Sequence, residues 1–446
     1  MKQIPILRRL FDRSGNFAVI FALAAVPIIL LAGGAVDFGR AYYVRSDLQN
    51  ALDAAALAVA SSAETSEGAL KSRLETMFTA NYHLAHVAAA TTPTQTISNN
   101  TIDATVSTSV PTTLLSFIMP SIMITVKSQV IKKTSGIELV LALDTTGSMA
   151  QNNKMTELKT AAHDLIKNIF GTSDTATAAY VGIVPFTDTV NVGSFNTSYV
   201  TDPSTYDWGK DSNGHALGWG GCVMAPNSTH DRDDSFSSSN GKWLPYYWPS
   251  SSSNYWKKIK NGKTTYSITS TTGPNVGCVN QPITPLTNQR APLDTAIDAL
   301  TPNGSTHINI GLVWAWYTIS PEFPFITGKA YDDPKFKKYV VLMTDGDNTY
   351  QTFSAYGDLA DGKLGTTNQS AAVAELNRRL TTVCNNMKAK GITIFTIALE
   401  VSSDTSRQLL EDCATPPGRY FNAQSTDLQS VFSTIGGQIS KVRLAK

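Results

Sequence analysis

A chain of 446 residues is longer than one ordinary domain and points to two or three, at least one with a sizeable core. Its 36 lysines and arginines nearly cancel its 35 aspartates and glutamates, which removes the electrostatic case for a nucleic-acid partner. Only 16% of residues are charged, and serine, threonine and asparagine fill the polar positions, a balance more typical of exported proteins than of cytosolic ones.

Lys2, Arg8, Arg9 and Arg13 precede an uncharged run over 17–36. At about 1.5 Å per helical residue this run crosses a hydrocarbon layer of roughly 30 Å. The expectation is a single-pass anchor in a bacterial inner membrane, with the basic tail over 1–16 in the cytoplasm. No A-x-A-like cleavage site follows, and Asp37 and Arg40 lead into more helix, so the reading is an uncleaved anchor rather than a removed signal peptide. The rest of the chain is then expected on the periplasmic or surface side.

Val44, Leu48, Leu52, Ala55 and Val59 recur at helical spacing, and Leu70, Leu74, Met77 and Leu84 repeat the pattern. The period then changes to two in Ile102, Ala104, Val106 and in Ile122, Ile124, Val126, predicting strands and a small α+β region over 37–135. The segment from Asn16 to Ala60, SGNFAVIFALAAVP running into VDFGRAYYVRSDLQNALDAAALA, resembles the amino-terminal region of TadG-like proteins of tight-adherence (Flp) pilus assembly. That resemblance implies a pilin-like anchor region and a role in pilus assembly or adhesion. Related TadE-like pseudopilins carry a processing glycine and, shortly after it, a glutamate. Gly15 is present, but Ile20 and Phe21 stand where that glutamate would fall.

From residue 136 strand and helix patterns alternate to the end of the chain. Strands are expected at Ile137–Leu143, Tyr180–Phe186, Tyr339–Thr344 and Ile392–Leu399. Helices are expected at Met155–Ile169, Asp294–Leu300, Ile308–Ile319, Ala371–Lys388 and Leu428–Val442. Such a succession predicts an α/β fold, a doubly wound, mainly parallel sheet with helices on both faces. A long insertion at about 190–285 interrupts it and holds Trp208, Trp219, Trp243, Trp248 and Trp256. These either form a recognition surface, for carbohydrate or protein, or make the small core of a subdomain.

Cys222, Cys278, Cys384 and Cys413 lack the CxxC spacing of a zinc ribbon or a redox site. Two disulfides are the leading reading, and three pairings are open. Cys222 with Cys278 and Cys384 with Cys413 is favoured, because each pair then closes a loop within one region, at a stabilisation of roughly 3 to 4 kcal/mol per bridge.

The segment LVLALDTTGSM ends a hydrophobic strand with Asp144 and sets hydroxyls two and four residues on, at Thr146 and Ser148. A loop leaving the carboxyl end of a central strand can aim such alternate side chains at one point, where doubly wound sheets bind ligands. GSTHINIGL places Thr306 just before a helix, and VVLMTDGDN places Asp345 at a strand end. Together these segments resemble the metal-ion-dependent adhesion site of von Willebrand factor A domains, DxSxS followed by a threonine and an aspartate, with Thr146 in place of the usual serine. The resemblance implies a divalent cation, magnesium ahead of manganese or calcium, held by Asp144, Thr146, Ser148, Thr306 and Asp345. An open coordination position would take an acidic side chain from a pilus or envelope protein. Asp347 and Asn348 are candidate outer ligands or plain turn residues, and His307 is expected to pack or cap.

DTTGS also resembles the DxTGT phosphorylation loop of haloacid-dehalogenase-like phosphotransferases, in which Asp144 would be the nucleophile. That chemistry needs a lysine to stabilise the phosphoryl group, and no position in the sequence identifies itself as that lysine. No GxxxxGK[ST], HExxH or GxSxG motif occurs. His83 and His86, without a third ligand nearby, read as helix-surface residues. The expectation is a binding protein rather than an enzyme, with a structural pilus-associated protein whose metal site is vestigial as the third reading.

Overall fold

The computed structural model describes residues 13–62, 67–98, 101–131, 136–226, 230–239, 241–416 and 418–444. The expected cytoplasmic residues Lys2, Arg8 and Arg9 lie outside the described residues. The chain divides into two compact units, Met1–Thr134 and Ser135–Arg443.

In the first unit one helix, α1 (Arg13–Ala60), runs through the apolar segment and beyond it. Within it, Val19–Ala60 is long and apolar enough to cross a membrane. Past the apolar run the helix turns amphipathic, and Val44, Leu48, Leu52, Ala55 and Val59 are buried as their spacing predicts. They pack with α2 (Glu67–Asn81) and with an antiparallel sheet of β1 (Thr94–Ser98), β2 (Thr101–Pro111) and β3 (Ser121–Ile131). Ile102, Ala104 and Val106 of β2 and Ile124 and Val126 of β3 face this core, the alternation a one-sided sheet requires. The sequence pattern did not mark β1.

The second unit is mixed α/β. Its elements in chain order are β4 (Gly136–Asp144), α3 (Lys154–Phe170), β5 (Ala179–Phe186), β6 (Thr284–Thr287), α4 (Arg290–Asp298), α5 (Ile308–Ile319), β7 (Phe336–Thr344), α6 (Gln369–Ala389), β8 (Thr393–Leu399), α7 (Asp404–Cys413), β9 (Tyr420–Ala423) and α8 (Leu428–Leu444). The strand order is β6-β5-β4-β7-β8-β9, parallel throughout except for the antiparallel edge strand β6. Counted along the chain this is 3-2-1-4-5-6, whose direction of winding reverses between β4 and β7.

Strand alternation divides the core in two. Val140, Ala142, Val340 and Leu342 face α5, α6 and α7, while Leu139, Leu141, Val341 and Met343 face α3, α4 and α8. Burial on both faces is why β4 and β7 read as unbroken hydrophobic runs. On α3, Leu158 and Leu165 are fully buried, and truncation of either to alanine is expected to cost about 2 to 5 kcal/mol.

Among the described residues the long connection from β5 to β6 carries only 3-10 turns and short two-stranded pairs. Trp208, Trp219 and Trp243 enter the same core cluster as α5, with the Trp243 and Trp314 rings 5.1 Å apart, and Trp256 is also buried. Trp208, Trp219 and Trp243 thus join the main core rather than a small separate one, and Trp243 packs on Trp314 and Tyr317 of α5, which is buried at every position. A carbohydrate surface built on them loses most of its side chains, with only Trp248 of the five partly exposed. Both favoured disulfides form, Cys222–Cys278 within this connection and Cys384–Cys413 between α6 and α7.

Candidate metal centre

Asp144 ends β4 and Asp345 follows β7, so the two carboxylates lie at the switch point of the sheet, the edge where such folds bind ligands. Asp144 is fully buried: one oxygen accepts from the Thr146 backbone N–H at 2.7 Å and the other from the Thr344 hydroxyl at 2.6 Å. The Thr146 hydroxyl lies 3.2 Å from that of Ser148, which donates to Asp345 Oδ1 at 2.6 Å. Three of the five expected residues thus form one chain of oxygens, and Asp144 is tied to it through the Thr146 backbone N–H. Burial, with Asp345 alongside, pushes the Asp144 carboxyl up to about 6.

Thr306 reaches the same edge through its backbone. Gly147 N–H donates to Gly304 C=O at 3.1 Å and Asn303 N–H to Thr145 C=O at 2.7 Å, joining the two loops. Gly304 holds φ +74°, which a side chain would strain. Thr306 and Thr349 then exchange two hydrogen bonds, tying in the loop after β7. Among the described residues no hydrogen bond joins the Thr306 side chain to the other four.

Asn348 accepts from Ile308 N–H at the start of α5 at 2.7 Å and donates to Asn377 at 2.8 Å, so both ends of its amide are engaged, while Asp347 is exposed. His307 packs between the Tyr350 and Tyr356 rings and makes no side-chain cap. Burial drives its pKa down to about 3, which keeps it neutral. His83 is largely exposed beside Asp47.

Lys154 is the residue that sequence reasoning missed. Its ammonium, nearly buried, lies 3.0 Å from Asp345 Oδ2 and 3.6 Å from Glu400. Two consecutive left-handed residues, Asn152 and Asn153, turn the chain to deliver it at the first position of α3. Glu400, itself at φ +55°, follows β8 and is held at about 2, chiefly by the Ser425 hydroxyl and, against some desolvation, by Asn152. The paired asparagines were the available signal, since asparagine tolerates this conformation and two together mark a sharp turn.

The donor set suits a small hard cation. In octahedral coordination at about 2.0 to 2.1 Å, neighbouring ligand oxygens lie about 2.9 Å apart. The Ser148–Asp345 and Thr146–Ser148 separations of 2.6 and 3.2 Å bracket that value. Hydroxyl hydrogens rotate freely, so both hydroxyls can turn lone pairs outward. Lys154 holds the opposite oxygen of Asp345 and leaves Oδ1 with the hydroxyls. Among the described residues no three His, Cys, Asp or Glu side chains are grouped to hold a metal, so any site here is rich in hydroxyls rather than in carboxylates.

These observations define a class: a chain with one apolar helix of membrane-crossing length and a doubly wound α/β unit bearing an oxygen cluster at its switch point. Residues 15–62 match the family model described as putative Flp pilus-assembly TadE/G-like. Among solved structures, the von Willebrand factor domain of the type V pili tip protein Mfa5 from Porphyromonas gingivalis is similar at 13% identity and TM-score 0.38, covering 69% of this chain and 96% of that one. The pilus adhesin SpaC from Lactobacillus rhamnosus GG is similar at 11% identity and TM-score 0.37, over 78% of this chain and 34% of that one. Proximal thread matrix protein 1 from the mussel byssus, with a zinc-occupied MIDAS motif, is similar at 13% identity and TM-score 0.33, over 68% of this chain and 47% of that one. No curated protein matches the chain.

Proposed function

We propose that this chain is a membrane-anchored pilus assembly or adhesion protein of the von Willebrand factor A type. Residues 17–36 span the inner membrane, 37–135 form a pilin-like region, and 136–446 form the binding domain, with 190–285 as an insertion. Asp144, Thr146, Ser148, Thr306 and Asp345 hold a divalent cation, magnesium ahead of manganese or calcium. The bound cation supplies an open coordination position for an acidic side chain of a pilus or envelope protein. The observation that carries the reading is the Thr146–Ser148–Asp345 oxygen chain at the switch point beside the buried Asp144. The TadE/G-like match over 15–62 supports the pilus context.

The residues divide the work. Asp144 holds the Thr146 backbone in place through its own oxygen, which keeps the hydroxyls aimed at Asp345. Lys154 balances part of the charge, so the site folds without a full complement of cation. In the full-length protein in detergent, magnesium at about a hundred times its Kd should stabilise by about 2.7 kcal/mol. Asp144→Ala should abolish both that gain and cation-dependent capture of the envelope partner. Capture that survives chelation and Asp144→Ala unaltered removes the metal from the mechanism.

Lys154 also gives the phosphotransferase reading the lysine it lacked. Against it, Asp144 is fully buried with both oxygens engaged, and Lys154 pairs with Asp345 and Glu400 rather than with Asp144. Hydrolysis of p-nitrophenyl phosphate that disappears with Asp144→Asn would reverse this preference.

A further inference from the structure

The loop from β2 to β3, residues 112–120, has the sequence TTLLSFIMP and carries no charge. Rather than folding its apolar residues inward, it exposes them: Leu114 is 54%, Ile118 65% and Phe117 99% exposed. The loop is nevertheless well built. Thr112 N–H donates to Pro120 C=O at 3.1 Å, and Ile118 and Met119 N–H both donate to Leu115 C=O, at 2.9 and 2.8 Å. A loop held this firmly with its largest side chain in the open presents that side chain to something.

Where it is held says to what. The Asp37 carboxylate on α1 accepts four hydrogen bonds from the loop, from the Thr113 N–H and hydroxyl, both at 2.9 Å, and from Leu114 and Leu115 N–H at 3.0 and 2.8 Å. Below Asp37, Leu114 rests on Gly33, where a Cβ would come within 2.7 Å of the Leu114 Cβ, so only glycine permits the approach. Gly33 lies three residues inside the end of the uncharged run, about 4.5 Å along the helix from Val36. Neighbouring faces of α1 are themselves open, with Leu31 76% and Val36 58% exposed.

We propose that the 112–120 loop is a second membrane contact, dipping Leu114, Phe117 and Ile118 into the lipid beside the end of the α1 span. The inference rests on reading α1 as membrane-spanning. Lipid is the occupant because the loop packs on that span: whatever covers the exposed side chains next to Leu114, which rests on Gly33, must itself lie at or in the bilayer. Just beyond Asp37 the surface becomes amphipathic, as an interface requires, with Phe38, Tyr42 and Tyr43 exposed on α1. An open groove of about 710 Å³ there, lined by Phe38, Tyr42, Arg45 and Met123, offers a cation and aromatic rings at headgroup level. Asp37 thereby acquires a reason: it satisfies three loop amides that water does not reach in an apolar layer.

The test uses the full-length protein in phosphatidylethanolamine–phosphatidylglycerol vesicles. All four native cysteines are in disulfides, so an introduced cysteine is the single thiol for a nitroxide label. Labels at Phe117→Cys, at Leu31→Cys in the span and at Gln129→Cys on the exposed side of β3 are compared for collision with oxygen, which concentrates in lipid, and with a water-soluble nickel chelate. The expected result is an oxygen-to-nickel ratio at 117 several-fold above that at 129 and close to that at 31. A water-like ratio at 117 with a lipid-like ratio at 31 overturns the proposal and leaves the span standing, whereas water-like ratios at both overturn the span. Shielding from both reagents at 117, or spin–spin broadening there that vanishes on dilution with unlabelled protein, assigns the loop to a protein contact and likewise overturns the proposal.

Discussion

Two regions of this molecule bury aspartates that hold a loop, one within helix α1 and one at the end of strand β4, and the contrast between them separates structure from readiness to bind. Asp37, beside the 112–120 loop, collects four donors from a single loop. Asp144, at the sheet edge, is as deeply placed but has two donors and a second acid, Asp345, beside it. Asp188, two residues past β5, is buried with the hydroxyl of its neighbour Thr187 at 3.2 Å, and burial lifts it to about 7. A carboxylate whose lone pairs are all spoken for is a fastener. One that remains short of positive charge in a low-dielectric crevice is a place for a cation or a proton.

The largest effect that would sharpen this contrast is expected at Asp188. Its folded pKa lies above the unfolded value, so the folded state binds the extra proton between about pH 4 and 7 and loses stability as pH rises through that window. Burial sets the rise, and the Thr187 hydroxyl and its own backbone N–H offset it only in part. Asp188→Asn should therefore stabilise the second unit at pH 8 by about 4 kcal/mol and leave it nearly unchanged near pH 4, read by denaturant unfolding followed through tryptophan fluorescence. A gain of the same size at both pH values would mean that the carboxylate is already satisfied.

At Asp37 the expectation runs the other way. Asp37→Ala should speed amide exchange at Thr113, Leu114 and Leu115 by more than about tenfold in detergent while exchange in β4 stays unchanged. Protection that persisted would show that the loop does not need its fastener. Lys154→Met should raise magnesium affinity by about fivefold in calorimetric titration, because the cation would no longer share Asp345 with an ammonium. Weaker binding would instead make Lys154 part of the site's support. The smallest effect belongs to Phe117→Ser, which should alter unfolding in detergent by no more than about 0.5 kcal/mol, since the ring touches little of the protein. A larger loss would place Phe117 in the core of its unit.

Long segments were legible in the sequence: β4, β7 and β8 as apolar runs, α3 and α6 by their buried stripes, α5 as a longer apolar run, and the alternation that makes a parallel sheet. Short edge elements were not. The β6 strand, TPLT, contains a proline and pairs irregularly with β5. The α7 helix offers Leu409 and Leu410 but no repeating stripe, although Ser403 capping Ser406 N–H was a visible start signal. At the site, Asp144, Thr146, Ser148 and Asp345 could be read because each sits within a few residues of a strand end. Lys154 could not, because its partners lie 191 and 246 residues away and meet it only through the β4–β7–β8 order.

That strand order also decides how the protein would bear load. The chain from α1 enters the second unit at the start of β4, and Asp144 stands at the far end of the same strand. Tension between the membrane and a partner held at that edge would run along β4, flanked on each side by eight register pairs, to β5 and to β7. That load is carried by the covalent backbone of β4, and where Asp345 after β7 shares the hold it passes between the two strands along their axis, meeting their register pairs together instead of one by one.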